Sequence, residues 1–290
     1  MKLTKNHIRL FGNALVGISK KIWYRVGGIP SLNKNYSKSR PELIVSLTSY
    51  GRRVSETVYY TLVSLLKQTY LPDRIILWLD SDNWSEHNLP KNLRKLIDKG
   101  IEIRFCEDIK SYKKLIPTLR ENPESIIITV DDDVIYSSRL LEILYSAHLK
   151  FPSTILCTRA YKAKFVENKP AKYKTWKNII GNSNLAKDEI LFPVGIGGIL
   201  YPPHSLYKDI LKENIFMKLC PTADDIWFWY MAKLNGTKHQ FVEMKNNFYS
   251  FDAIYQALHK GSALTHSNVT EDHNDVQLEK VLETYGFKNI

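Results

Sequence analysis

Five aspartates carry most of the chemistry this sequence could perform. Asp131, Asp132 and Asp133 follow directly on the apolar run Ile126 to Val130 (IIITV), and Asp224 and Asp225 form a second group (TADD) further along the chain. Three consecutive carboxylates at the end of a buried strand repel one another unless something positive sits among them. A divalent cation is the simplest partner. Mg²⁺ and Mn²⁺ favour carboxylate and water oxygens, and they hold a diphosphate through one or two carboxylates rather than a complete protein cage. Alternation along an extended chain would put Asp131 and Asp133 on one side and Asp132 on the other. A solvated acidic turn is the plain alternative. Asp224 and Asp225 open a predicted helix, where the helix dipole alone would favour negative charge. The aromatics that follow them, Trp227 to Tyr230, read either as core or as a surface on which a sugar stacks. The sequence lacks GxxxxGK[ST], strand-linked GxGxxG, HExxH and GxSxG, so ATPase, dehydrogenase, zincin and α/β-hydrolase chemistries lose their main support.

The elements that must position these carboxylates alternate between strand and helix. Leu43 to Thr48, Ile75 to Leu79, Ile101 to Phe105 and Ile126 to Val130 are short apolar runs rich in β-branched residues. Between them lie a helix starting near Ser55 and ending near Thr69, one marked by Leu93, Leu96 and Ile97 that Gly100 stops, and one around Lys113 to Glu121 that contains Pro117. This pattern predicts an α/β fold: a mainly parallel central sheet with helices on both faces. Ligands of such sheets bind beyond the carboxyl ends of the strands. That rule selects Thr48, Ser49, Tyr50 and Arg52-Arg53 after the first strand, Asp80 and Asp82 after the second, and the three aspartates after the fourth. Ser138 is expected to cap the next helix, Thr154 to Thr158 to form a strand, and residues 160 to 190 to be a surface insert. A turn at Gly195 to Gly198 precedes the Asp224 helix, which stops at Asn235-Gly236. A last helix covers Val276 to Tyr285.

The 290 residues carry 41 basic and 30 acidic side chains, a net charge of +11 that suggests a polyanion partner until its distribution is considered. Residues 1 to 40 hold nine of the basic residues and no acidic one, leaving the remainder nearly neutral. Nucleic acid is therefore not an expected partner. Leu3, Ile8, Leu10, Phe11, Ala14, Leu15, Ile18 and Ile22 share one side of a helical wheel, with Lys2, Lys5, Arg9 and Lys20 opposite. This amphipathic helix is too polar to cross a bilayer. It either docks on the domain's own core or rests on an anionic membrane surface. Residues 1 to 40 thus read as helix and linker, and residues 41 to 290 as the main domain, divided near residue 136. The three cysteines show no spacing for a zinc site or disulfide framework.

Taken together, LIVSLTSYGRR, the segment LLKQTYLPDRIILWLD, the strand-linked DDD and the helix-opening ADD resemble the GT-A-fold nucleotide-sugar glycosyltransferases, particularly the bacterial family-two-like enzymes of surface polysaccharide synthesis. The resemblance covers roughly residues 42 to 245. It implies that Thr48 and Tyr50 border the nucleotide base, that Asp80 meets the uracil or ribose, and that Asp131 and Asp133 match the DxD positions for ribose, metal and diphosphate, with Asp132 between them on the nucleotide. Asp225 would be the general base, Asp224 would orient the acceptor, and Gly197 and Gly198 would belong to the acceptor loop beside Trp227. Arg52-Arg53 and Lys113-Lys114 would steady phosphates. Of the late histidines that could complete a metal site, His259, His266 and His273 compete, and His266 is preferred.

The activity so implied is inverting transfer of a sugar from a nucleotide-diphosphate donor, a UDP-sugar, to a glycan or lipid-linked acceptor, with Mn²⁺ or Mg²⁺ as cofactor. A cytoplasmic enzyme resting on the inner face of the cell membrane is expected. The rival readings are a sugar-nucleotide nucleotidyltransferase, which would release pyrophosphate, and a catalytically dead membrane- or nucleic-acid-binding protein.

Overall fold

The computed structural model describes residues 19, 21–24, 26–32, 40–167, 169–179, 190–244, 250–251 and 272–286. Its centre is a seven-stranded sheet in the order His239–Phe241, Ile155–Cys157, Ile199–Tyr201, Ile126–Thr129 (β4), Leu43–Thr48 (β1), Arg74–Asp80 (β2) and Ile101–Cys106 (β3). Strand β1 pairs in parallel with β2 and β4, and β2 with β3. Ile199–Tyr201 runs antiparallel between β4 and Ile155–Cys157, and His239–Phe241 returns parallel at the edge. The fold is therefore mixed α/β around a mostly parallel sheet.

Parallel strands covered on both faces need apolar side chains in every direction, which is why β1 and β2 read as unbroken hydrophobic runs. Leu43, Val45 and Leu47 join Ile75, Leu77 and Leu79 beneath the helices Val58–Leu66 and Leu140–His148. Elsewhere Ile127, Ile155, Cys157 and Ile199 pack with Trp227, Trp229 and Met231 of the helix Asp224–Leu234 into a second core. The polar exception on β1, Ser46, is buried and hydrogen-bonded to the Thr118 hydroxyl at 2.7 Å; the same hydroxyl accepts the Trp78 indole N–H at 2.7 Å. A buried polar pair is tolerable only because it is satisfied in this way.

Several local expectations are corrected. Ser55 lies inside the short helix Arg53–Glu56, and Ser138 precedes a helix beginning at Leu140; neither start carries a side-chain cap. The Ser138 carbonyl instead accepts the Thr69 backbone N–H at 2.7 Å, tying two helix ends together. Pro117 does not break a helix, because the segment divides into a 3₁₀ turn, Lys110–Lys114, and a helix, Ile116–Glu121, with the proline in its first turn. The insert after residue 160 is not merely surface: Ala160–Lys162, Lys177–Asn178 and Leu191–Pro193 form a small antiparallel sheet, and Trp176 and Ile179 are buried in the second core. Gly100 stops its helix as expected, at φ +95°.

Most of the segment expected to form the N-terminal amphipathic helix lies outside the described residues. Residues 21–24 are helical, and Tyr24 and Leu32 are buried in the first core. The Lys67 ammonium donates to the Gly28 carbonyl at 2.9 Å and lies over the Trp23 ring at 4.3 Å. Ile22, Trp23 and Val26 face outward, 57%, 55% and 80% exposed. Among the described residues no helix is long and apolar enough to cross a membrane.

Candidate active site

The carboxyl ends of β1, β2 and β4 bring Thr48, Asp80 and the three aspartates to one edge of the sheet. Strand β4 ends at Thr129, so Asp131 to Asp133 sit in the turn beyond it and the alternation of an extended chain does not govern them. Two different cations divide them instead. Arg53 donates from Nη1 to Asp132 Oδ1 at 2.8 Å and places Nη2 3.2 Å from Asp133 Oδ2. The Ser49 hydroxyl donates to Asp132 Oδ2 at 2.5 Å, and the Thr61 hydroxyl pins the turn through the Asp132 and Val134 carbonyls. Burial pushes the Asp132 carboxyl up against the opposing pull of Arg53. Burial, with Asp132 and Asp131 beside it, lifts Asp133 to about 7. Burial opposes the charge on Arg53, yet these two carboxylates more than offset it and raise its pKa.

Asp131 turns to Lys114, at the end of the 3₁₀ segment. The Lys114 ammonium is buried and lies 3.3 Å from Asp131 Oδ1, 2.8 Å from Asp224 Oδ2 and 3.7 Å from Asp225 Oδ1. Burial alone would discharge this lysine; the three carboxylates reverse the effect and hold it well above its ordinary pKa. Asp225 is itself lifted to about 7, chiefly by burial and then by Asp224 and Asp131, with Lys114 pulling the other way. Its Oδ2 accepts the Gly195 backbone N–H at 3.1 Å, so it engages the neighbouring loop. Asp225 Oδ1 has no hydrogen-bond partner among the described residues. A quarter of the side chain, 24%, remains open to solvent. Tyr136 completes the corner: its hydroxyl accepts the Asp131 N–H at 2.8 Å and donates to the Ile196 carbonyl at 3.3 Å.

The structure thus gathers Asp131, Asp224, Asp225 and Lys114 around one point, with Asp132 and Asp133 on Arg53 beside them. Tyr50 is half exposed, with the Arg53 guanidinium over its ring at 5.2 Å. Thr48 donates its hydroxyl to the Trp78 carbonyl at 2.9 Å, and Asp80 Oδ1 accepts both the backbone and the side-chain N–H groups of Asn83. Arg52 is exposed, and it is Arg53 that meets the aspartates. Trp227 is fully enclosed, its indole N–H on the Ile210 carbonyl at 3.2 Å. This corrects the sugar-stacking alternative: an aromatic face without exposure supports the helix from behind. Gly197 packs where a side chain would strike Arg159, and Gly198, at φ +87°, lies against Leu140. His259 and His266 lie outside the described residues, and His273 begins the C-terminal helix His273–Tyr285. The residues that sequence reasoning missed are Gly195 and Tyr136; Ser49 is among the residues selected after the first strand but had no role assigned to it. The only available signal for Gly195 was its place in the GIGG turn.

A divalent cation fits the chemistry of this donor set. Five carboxylates face two cationic side chains, a deficit that a metal would offset. Among the described residues no group of three His, Cys, Asp or Glu side chains is placed to hold a metal ion by itself. Mg²⁺ does not require one, since it keeps waters and takes substrate phosphate oxygens. Asp131 Oδ2 and Asp133 Oδ1 lie outside the ion pairs described above.

The fold and the site together define an α/β protein with an acidic, cation-bridged centre at the carboxyl edge of its sheet. The chain matches no protein-family model and no curated protein. Among solved structures it is similar to S. aureus TarS 1-349 in complex with UDP, at 17% identity and a TM-score of 0.46 over 72% of this chain and 59% of that one. It is similar also to S. aureus TarS 1-349, at 18% identity and a TM-score of 0.48 over 83% and 70% of the two chains. A third is a 4-diphosphocytidyl-2C-methyl-D-erythritol synthase, at 7% identity and a TM-score of 0.45 over 77% and 97%.

Proposed function

We propose that the protein is a glycosyltransferase that moves a sugar from a nucleotide-diphosphate donor, a UDP-sugar, to a hydroxyl of a glycan or lipid-linked acceptor with inversion. The observation that carries this reading is the meeting of Asp225, its carboxyl raised to about 7, with the aspartates at the end of β4. A carboxylate near neutrality is suited to general-base work. Thr48, Tyr50 and Asp80 would line the nucleotide, and Asp224 would orient the acceptor. As the acceptor oxygen bonds to the anomeric carbon, Asp225 takes the hydroxyl proton and the bond to the donor diphosphate breaks. Asp133, with Asp131, would hold Mn²⁺ or Mg²⁺, which when bound offsets charge on that diphosphate.

Calorimetric titration with UDP, with and without Mn²⁺, tests the reading. Wild type should bind UDP in a metal-dependent manner and Asp133→Ala should lose it. Absence of UDP, GDP and CMP binding by wild type would overturn the proposal, and pyrophosphate release during turnover would identify a nucleotidyltransferase instead. We place the acceptor at an anionic membrane surface, supported by the basic leader and the outward Ile22, Trp23 and Val26.

A further inference from the structure

Among the described residues Lys114 is the one cation paired with both groups of carboxylates, and the space it occupies exists because residue 195 has no side chain. A Cβ built on Gly195 would lie 2.7 Å from Lys114 Nζ, 3.1 Å from Asp225 Oδ1 and 3.4 Å from Asp131 Oδ1. Its backbone N–H holds the other oxygen of Asp225 at 3.1 Å. Gly195 is thus the wall against which ammonium and carboxylate are both set. Resting on the glycosyltransferase reading, we propose that Lys114 and Gly195 are positioning residues for Asp225: the ammonium, seated against the bare Cα of Gly195, holds the Asp224–Asp225 pair facing the donor and is not a ligand of the donor's diphosphate.

Three features support this assignment over a phosphate-binding lysine. The shortest contact of Nζ is to Asp224, at 2.8 Å, against 3.3 Å to Asp131 on the donor side. The side chain is almost wholly enclosed, 7% exposed, whereas an ammonium meant to receive an incoming anion would face the opening. The turn that holds Asp132 and Asp133 already has its own cation in Arg53. Lys114 therefore belongs to the acceptor half of the site, and the short link to Asp131 registers that half against the donor half.

Gly195 supplies a test that leaves every charge in place. It is not among the positive-φ glycines, so alanine meets no backbone penalty there. The atom it would crowd most is the far end of a flexible lysine, which moves before the fold does. Gly195→Ala should displace the ammonium from Asp225, and Lys114→Met should remove it. Donor identified, both variants should bind UDP within about threefold of wild type and keep the donor KM, while kcat falls about 10²-fold, the scale of a misplaced general base. Lys114→Arg should recover part of that loss. Melting curves of the three variants identify any that fail to fold, and Gly195→Ala keeps the test decisive if Lys114→Met does. Loss of UDP binding in folded Lys114→Met would make the lysine a phosphate ligand and overturn the inference while leaving the transferase reading intact. Unchanged kcat in both variants would overturn it as well. Failure of wild type itself to bind any nucleoside diphosphate would remove the reading on which the inference rests.

Discussion

The carboxyl of Asp225 is where electrostatics and proposed chemistry bear on the same atoms. Ionising it in the folded protein is costly because it is largely enclosed and shares its surroundings with Asp224 and Asp131. Turnover should therefore rise with pH through about 7 as the base ionises, and a flat pH–rate profile across that range would exclude it as the base. Asp225→Asn should lower kcat by about 10²-fold or more while UDP binding persists, as calorimetry and steady-state kinetics on one preparation would show. The same shift bears on stability. Because the folded pKa lies above the ordinary carboxylate value, the folded protein binds this proton more tightly than the unfolded chain, and the site's contribution to stability falls as pH rises from the carboxylate range through about 7. Asp225→Asn should accordingly melt higher than wild type at pH 8, with the gap narrowing at pH 5. A variant that is more stable and less active would mark strain held for function.

At the scale of elements, the aspartates depend on contacts behind them. Thr118, on the helix Ile116–Glu121, satisfies Ser46 of β1 and Trp78 of β2 through one hydroxyl. Thr118→Val would leave a buried hydroxyl and a buried indole N–H unpaired, at a cost of about 1–3 kcal/mol measurable as a lower urea midpoint. A loss this size with nucleotide binding unchanged would show that the helix supports the sheet rather than the site. The elements themselves were largely legible, since runs such as LIVSLT and IILWL have no other comfortable environment than a doubly covered sheet. The helix starts were less so. Serines stood where caps are expected, but Ser138 is drawn into a link with Thr69, and Ser55 follows a start that uses no side chain. The residues after 160 gave no periodicity because their strands are two or three residues long and their aromatics face a core assembled from distant segments.

For the whole molecule, charge distribution and exposed apolar surface coincide near the N-terminus. Tyr24 and Leu32 belong to the core, so deleting residues 1 to 40 would damage the domain as well as the surface. The triple substitution Ile22→Ser, Trp23→Ser and Val26→Ser alters side chains that are more than half exposed and leaves Tyr24 and Leu32 in place, while removing the Trp23 contacts with Lys67 and Tyr24. It should reduce cosedimentation of the full chain with phosphatidylglycerol-containing vesicles, in which wild-type binding weakens as salt rises. Equal partitioning of the two proteins would refute a membrane role for this face.

What the sequence determined by itself is the order of the first four strands with the helices between them, and the edge at which the carboxylates gather, because hydrophobic runs and turn residues are local properties and the carboxyl-edge rule follows from them. The short strands Ile199–Tyr201 and His239–Phe241 that complete the sheet carried no such local signal. The sequence also singled out Asp131 to Asp133 as carboxylates that repel one another without a cation, and Asp224-Asp225 as a second acidic group at a helix start, where the helix dipole was an equally open explanation. Which cation serves which carboxylate was decided only by tertiary structure. Lys114 lies 17 residues from Asp131 and more than a hundred from Asp225, and Arg53 reaches across 79 residues to Asp132. No spacing rule reaches that far, since such pairings arise only once the sheet has set the loops side by side. The same holds for Gly195, which differs from Gly197 and Gly198 not in type or local pattern but in facing an ammonium and a carboxylate instead of Arg159 and Leu140.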